Sequence, residues 1–423
     1  MTAGLLAIIG LALVGMPLFT VLAAMTFLFY RHAGIDAGSV AVEMYRLAEA
    51  PLLIAIPMFT FAGYLLAESR APQRLVALSR AALGWMPGGL AVVALVACAI
   101  FTAFTGASGV TIIAVGGLLL PALLAERYTE RFSYGLLTTS GSLGLLFPPS
   151  LPIIIYGYVA AVSVDKLFAA GVIPGVLLVV LLTLYAMRSA VRSGVPRQRF
   201  SWSELRRMLR ASAFEVPLPL VIIGGIYSGL VTVVEAASLT AVYALVVEVL
   251  IYRDIKPRDL VRILSESMVL VGGILIIIAV ALALTNYFID AEIPNHIFDW
   301  TQEHVHSKWG FLLLLNVFLL LIGCLMDEFS AIIVVVPLIV PVAEKYGIDP
   351  VHLGIIFLTN LEMSYSIPPV GLNLFIASLR FGRPVLDLYR ASVPFLGLYL
   401  VVLLLVTYFP QLSLWLVQAL GVR

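Results

Sequence analysis

The chain has 423 residues, of which 62% are apolar and only 12% charged, against roughly a quarter charged in ordinary soluble domains, so a soluble fold is excluded. Its 25 basic and 24 acidic side chains give a formal net charge of +1, and without a basic stripe or acidic tail no nucleic-acid partner is suggested. Apolar runs near the length of about 20 residues that a bilayer helix needs follow one another, with Gly and Pro scattered through them instead of a period-2 alternation; the fold class is an all-α polytopic membrane protein.

The first block, 1–70, reads as N-terminal scaffold helices. It is apolar from Leu5 and lacks the basic n-region and small-residue cleavage site of a secretory signal, so it is expected to be retained as a span. Its start reads as one span or as two short arms around Gly15-Met16-Pro17. Residues 71–187 read as a first transport repeat, holding an apolar segment at 88–125 and a Pro-Pro pair, Pro148-Pro149, in the middle of a long apolar run.

Between 188 and 215 lies a basic connector. From Arg188 to Arg210, the arginines Arg188, Arg192, Arg197, Arg199, Arg206, Arg207 and Arg210 face a single acid, Glu204, which places the connector in the cytoplasm. The block 216–289 reads as a second scaffold segment: apolar runs at 216–230 and 236–252 return the chain to a second basic loop with Arg253, Lys256, Arg258 and Arg262, and a span then leads to Asp290, Glu292, Asp299 and Glu303 on the outer side. His296, His304 and His306 fit no familiar ligand spacing and read as loop residues. Residues 290–423 read as a second transport repeat. Cys98 and Cys324 lie in apolar runs and read as small hydrophobes.

The two transport repeats superpose in sequence. A shift of 220 residues pairs Pro121 with Pro341, Pro148-Pro149 with Pro368-Pro369, and Pro174 with Pro394. Carrying the charge rule through both copies puts Glu126 to Arg131 on the cytoplasmic side and Glu344 to Asp349 on the outer side, so the halves are predicted to be inverted, a plan typical of secondary transporters with a midplane site. The parity requires 88–125 to enter and leave on the cytoplasmic side and 309–344 to do so on the outer side. Each is then a re-entrant hairpin, with tips at Thr105-Gly106-Ala107-Ser108-Gly109 and Met326-Asp327-Glu328-Phe329-Ser330.

Continuous helix is impossible at the diprolines. Proline lacks the N–H and clashes with the carbonyl four residues back, which predicts breaks at Pro148, Pro149, Pro368 and Pro369 and frees the carbonyls of Gly144, Leu145, Ser364 and Tyr365. With the tip at Gly106, the hydroxyls of Ser108, Thr111, Ser140, Ser142, Ser330, Ser364 and Ser366 and the Asn360 amide, these hard oxygens suit an alkali cation, and sodium is the natural candidate. The helix N-termini after each break, near Ser150 and near Gly371 to Asn373, favour an anionic group; Ser150, Ser366, Gly371 and Asn373 are the expected substrate contacts.

Thr139 to Gly157, Met326-Asp327, Pro337 to Pro341, Gly347-Ile-Asp-Pro350, Asn360-Leu-Glu362 and Pro368-Pro-Val-Gly-Leu-Asn373 together resemble the large membrane (M) subunit of tripartite ATP-independent periplasmic (TRAP) transporters over most of the chain. The resemblance implies an elevator-type, sodium-coupled importer of organic acids such as C4-dicarboxylates or sialic acid in the bacterial inner membrane. It also implies two partners: a small four-helix membrane subunit (Q) and a soluble periplasmic substrate-binding protein (P). At 423 residues the chain looks too short to carry the small subunit as a fusion, so a separate polypeptide is expected.

Asp327, Glu328 and Glu362 fall near the predicted midplane, where an isolated charge costs at least about 2.5–3.5 kcal/mol. Asp327, at the tip, is the favoured cation ligand; the competing reading is a carboxylate that caps a hairpin arm. Ser108, Thr111, Ser330 and Ser364 read equally as hydroxyls bonded to their own helices. Glu235 and Glu248 read as scaffold or subunit contacts, and Arg380, Arg383 and Arg390 as cytoplasmic anchors. No H-E-x-x-H, G-x-S-x-G or Walker A motif is present, which argues against an enzyme. The nearest rival function is a self-sufficient organic-anion symporter that needs no binding protein.

Overall fold

The computed structural model describes residues 2–195 and 199–421; Arg197 of the basic connector lies outside them. Among the described residues the chain is helical without strands. The first block comprises α1 (Thr2–Leu13), α2 (Leu18–Ala33), α3 (Gly38–Ala48), a 3-10 turn (Pro51–Ile54) and α4 (Ala55–Glu68). Gly15, at φ 102°, and Pro17 separate α1 from α2, so the N-terminus is two short arms. Next come α5 (Ala71–Leu83) and a helical hairpin of α6 (Gly89–Thr105) against α7 (Ser108–Thr111), a π-helical turn (Ile112–Gly116) and α8 (Gly117–Ala125). They are followed by α9 (Glu130–Ser140), α10 (Leu151–Val159) and α11 (Val164–Arg192).

The connector carries α12 (Trp202–Ala211). The block 216–289 holds α13 (Pro217–Tyr227), α14 (Val233–Leu245, prolonged by a π-helical turn, Val246–Ile251) and α15 (Pro257–Asp290). The run expected to span the membrane at 216–230 forms only the 11 residues of α13, about 16 Å at 1.5 Å per residue and well short of a bilayer core. Ser228 ends that helix, and Gly229, at φ 71°, turns the chain back so that α13 packs on α14. The last block runs α16 (Ile293–His304), α17 (Lys308–Gly323), α18 (Glu328–Lys345), α19 (Pro350–Ser364), α20 (Leu372–Phe381), α21 (Val385–Tyr408) and α22 (Gln411–Leu420). Among the described residues six helical segments are long and apolar enough to cross a membrane, including Val164–Arg192, Pro257–Asp290 and Val385–Tyr408.

The duplication is visible in the element boundaries. The second hairpin arms run Ser108–Ala125 and Glu328–Lys345, so both ends repeat at the proline offset. Helices α9 and α19 start at equivalent positions, Glu130 and Pro350, and each is capped by the residue before it: Thr129 accepts the Phe132 N–H, and Asp349 accepts those of Val351 and His352. Packing between the copies is reciprocal, as a two-fold relation requires. Helix α10 lies on α18 while α20 lies on α7 and the π-helical turn after it, and α11 contacts α19 as α21 contacts α9.

Both predicted breaks are present. Helix stops at Ser140 and resumes at Leu151, and stops at Ser364 and resumes at Leu372; both diproline bonds are cis. The copies differ in environment, since Pro148 and Pro149 are buried whereas Pro368, Pro369 and Val370 are exposed.

Helix α4 packs against α14 and α15, and α15 also lies on α2 and α3. Helix α4 meets the first hairpin at Gly63, where a Cβ would stand 2.8 Å from the Phe104 carbonyl oxygen and the Thr105 Cα; only glycine permits that backbone approach. On the basic-loop side, Arg74 of α5 pairs with Glu215, with Glu248 at 3.0 Å and with Asp254, and its guanidinium lies 4.0 Å from the Tyr252 ring centroid. Burial opposes the Arg74 charge, but the three carboxylates outweigh it and raise its pKa above the usual guanidinium value.

Candidate functional site

The two hairpin tips and the two breaks meet at the centre of the molecule. At the first tip Gly106 is buried at φ 63°, and a Cβ there would strike Leu151, the first residue of α10. The break itself packs on the hairpin: a Cβ on Gly144 would lie 2.3 Å from the Ala103 nitrogen and 2.4 Å from the Ala99 oxygen. Thr102 donates to the Gly141 carbonyl at 2.8 Å and shares a 2.7 Å hydrogen bond with Thr111. In the second copy, the backbone N–H groups of Val370 and Gly371 both donate to the Cys324 carbonyl, at 3.2 and 3.4 Å. Ser142 joins the copies by donating to the Glu362 carbonyl at 3.3 Å.

Buried polar atoms without a protein partner gather along this line. They include the hydroxyls of Ser108, Thr138, Ser150, Tyr365 and Ser366, the oxygen of Asn360, both side-chain polar atoms of Asn373, both carboxylate oxygens of Glu362 and Oε2 of Glu328. Each such atom costs about 1–3 kcal/mol if left unpaired, so their concentration at the backbone interruptions makes this the candidate ligand site. The Tyr365 side chain faces Glu328, linking the second break to the second hairpin.

Individual expectations fare differently. Ser108, Ser150, Ser366 and Asn373 are buried with free polar groups. Thr111 and Ser142 are buried and already bonded, while keeping acceptor lone pairs. Asn360 spends its N–H donor on Asn316 at 2.7 Å and on the Ile356 carbonyl, leaving its oxygen available. Ser364 donates to the Leu361 carbonyl at 2.9 Å, the local helix bond that was the alternative reading. The carbonyls of Gly144 and Ser364, expected to be free, each accept a turn N–H, from Phe147 and Ile367 at 3.0 Å, and that of Tyr365 accepts the Asn373 N–H; tight turns replace the lost helical bonds.

Asp327 is not among the inward-facing groups. It is exposed and caps α18, accepting the N–H groups of Phe329 and Ser330 at 3.1 Å on one oxygen and the Ser330 hydroxyl on the other. This is the capping role, and it also accounts for Ser330. The buried acid at this tip is its neighbour Glu328, which the sequence places beside Asp327 without ranking it first. Sequence reasoning also missed Thr102, Asn316 and Thr407. Asn316 donates to Thr407 at 3.0 Å and accepts from Asn360, tying α17, α19 and α21 together; a lone Asn in an apolar run was the only available signal. Glu248 is buried and pairs within the chain with Arg74, and Glu235 closes a capping box with Thr232.

The family model described as "Tripartite ATP-independent periplasmic transporter, DctM component" matches residues 5–412. The chain is 37% identical over 384 residues, 90% of each chain, to a C4-dicarboxylate TRAP transporter large permease protein of Pseudomonas aeruginosa. It is 31% identical over 412 residues, 96% of each, to the ectoine TRAP transporter large permease of Halomonas elongata. It is 29% identical, over 96% of each, to the sialic acid TRAP transporter large permease of Vibrio cholerae. In fold it is similar to the crystal structure of the Alcanivorax borkumensis YdaH transporter, at TM-score 0.62, 16% identity and coverage of 91% of this chain and 90% of that one. The chain is a permease and not an enzyme, and it lies in the inner membrane as a multi-pass protein. It belongs to the DctM component family of tripartite ATP-independent periplasmic transporters, as a large permease subunit.

Proposed function

We propose that this permease imports a carboxylate-bearing solute together with sodium, moving the two hairpins and two broken helices as one unit against the scaffold. The observation that carries the reading is the set of buried polar atoms without a protein partner at the tips and breaks, where Ser142 of one repeat meets Glu362 of the other. Hard oxygens of Ser108, Thr111, Ser142, Leu145 and Asn360 would form a donor set suited to a small monovalent cation, with the buried carboxylate of Glu362, whose main-chain carbonyl meets Ser142, as its charge. A bound cation offsets the cost of burying a carboxylate. Ser150, Ser366 and Asn373, beside the N-termini of α10 and α20, offer neutral donors and positive dipole ends to an anion. Filling the first set reduces the penalty for the second, so cation binding precedes solute binding.

Two inverted copies give alternating access when they exchange conformations. Helices α4, α14 and α15 would be the stationary side, and the glycine contact at Gly63 a surface along which the first hairpin slides. The relatives that are named large permeases support a three-part system, in which a periplasmic binding protein delivers the solute and a small membrane subunit completes the scaffold. The test is uptake of C4-dicarboxylate, sialic acid and ectoine into proteoliposomes, with and without an inward sodium gradient, binding protein and small subunit. Uptake that depends on all three supports the reading. Uptake unchanged by their removal refutes it, and uptake that needs sodium alone favours a self-sufficient symporter.

A further inference from the structure

The connector helix α12 takes no part in this chemistry and is built for a different surface. It is capped by Ser201, whose hydroxyl accepts the Glu204 N–H, and none of its residues is buried. Helical spacing sorts it into two faces: Trp202, Leu205, Met208 and Leu209 on one, and Ser203, Glu204, Arg206, Arg207 and Arg210 on the other. Leu205 and Met208 are half-buried on the side where α12 packs on α5. Trp202 and Leu209, two turns apart, remain 67% and 43% exposed, and the exposed Phe200 ring lies 5.7 Å from that of Trp202. Arg206 and Arg210 border this apolar ridge.

The charges are as unbalanced as the apolar surface is uncovered. Among the described residues Arg207 has a carboxylate neighbour, Glu204 at 3.8 Å, while Arg188, Arg192, Arg199, Arg206 and Arg210 have none. Both flanks are apolar helices, α11 ending at Arg192 and α13 beginning at Pro217, so α12 is held close to the bilayer surface on the side the arginines mark as cytoplasmic. A ridge of Trp, Leu and Phe bordered by unpaired arginines matches the boundary between acyl chains and anionic headgroups.

We propose that α12 is an interfacial anchor that binds anionic phospholipid of the cytoplasmic leaflet, with Trp202 and Leu209 at the acyl boundary and Arg206 and Arg210 on the phosphates. Through α5 it steadies the chain that enters the first hairpin. The test uses the full-length permease with Cys98 and Cys324 replaced by Ala, carrying a nitroxide on Leu209→Cys. It is reconstituted in phosphatidylcholine vesicles with or without phosphatidylglycerol, and unchanged thermal unfolding confirms an intact fold. The expected result is low collision with a water-soluble nickel chelate and high collision with oxygen in the phosphatidylglycerol vesicles. Arg206→Gln with Arg210→Gln should raise nickel access there several-fold. Equal water access in both lipids overturns the proposal, as does lipid burial indifferent to phosphatidylglycerol and to the two arginines. Burial that appears only when a second membrane polypeptide is added overturns it in favour of a protein partner.

Discussion

Ser142 and Glu362 are 220 residues apart in the chain and in contact in space, the Ser142 hydroxyl donating to the Glu362 carbonyl at 3.3 Å. That separation is also the offset between the repeats, so each residue touches its own counterpart. A position that meets its copy lies on the two-fold axis, and the acid there is buried with both carboxylate oxygens unpaired.

Glu362→Gln keeps the side-chain shape and removes the charge available to a cation. The sodium concentration for half-maximal uptake is expected to rise by about tenfold, equivalent to about 1.4 kcal/mol, with membrane insertion unchanged. A sodium titration of proteoliposome uptake checks it; an unaltered midpoint removes Glu362 from the cation site.

Ser150→Ala and Asn373→Ala delete groups that have no protein partner, so thermal unfolding in detergent should move little or upward. Solute KM is expected to rise by roughly tenfold for each, as for a lost hydrogen bond of about 1.4 kcal/mol. A drop in Tm without a change in KM would make these residues structural.

Gly144→Ala places a Cβ 2.3 Å from the Ala103 nitrogen, a backbone atom that cannot step aside. Overpacking of at least about 1–3 kcal/mol should lower Tm and abolish uptake. Gly397→Ala meets nothing within 4 Å and serves as the silent comparison, read in the same unfolding scans.

Arg74→Ala leaves Glu215, Glu248 and Asp254 facing one another around a missing cation. A loss of about 3–5 kcal/mol is expected, seen as a large fall in Tm or in folded yield. Adding Glu248→Gln should recover part of it, since one repelling charge is removed.

What the sequence disclosed was written in local chemistry. A diproline cannot sit inside a continuous helix, so Pro148-Pro149 and Pro368-Pro369 announced the breaks, and their common offset announced the duplication. Side-chain direction was not legible in the same way. Asp327 and Glu328 are adjacent acids at a tip, and a cap and an inward-facing carboxylate look alike until the helix start is fixed; α18 begins at Glu328 and makes Asp327 the cap. The Arg74 cluster joins partners 141, 174 and 180 positions away, which no spacing rule connects. The Asn316–Asn360–Thr407 chain is equally long-range.

The first diproline is enclosed while the second is open, although both derive from one sequence plan. Perfectly matched halves would make this arrangement and its mirror assignment isoenergetic, so any preference between them comes from divergence between the copies. Gly144 and Leu146 in one stand opposite Ser364 and Ser366 in the other. Exchanging Leu146 with Ser366 would therefore bias the proposed exchange of conformations, whereas Gly144, closed in by the Ala103 backbone, has to stay as it is.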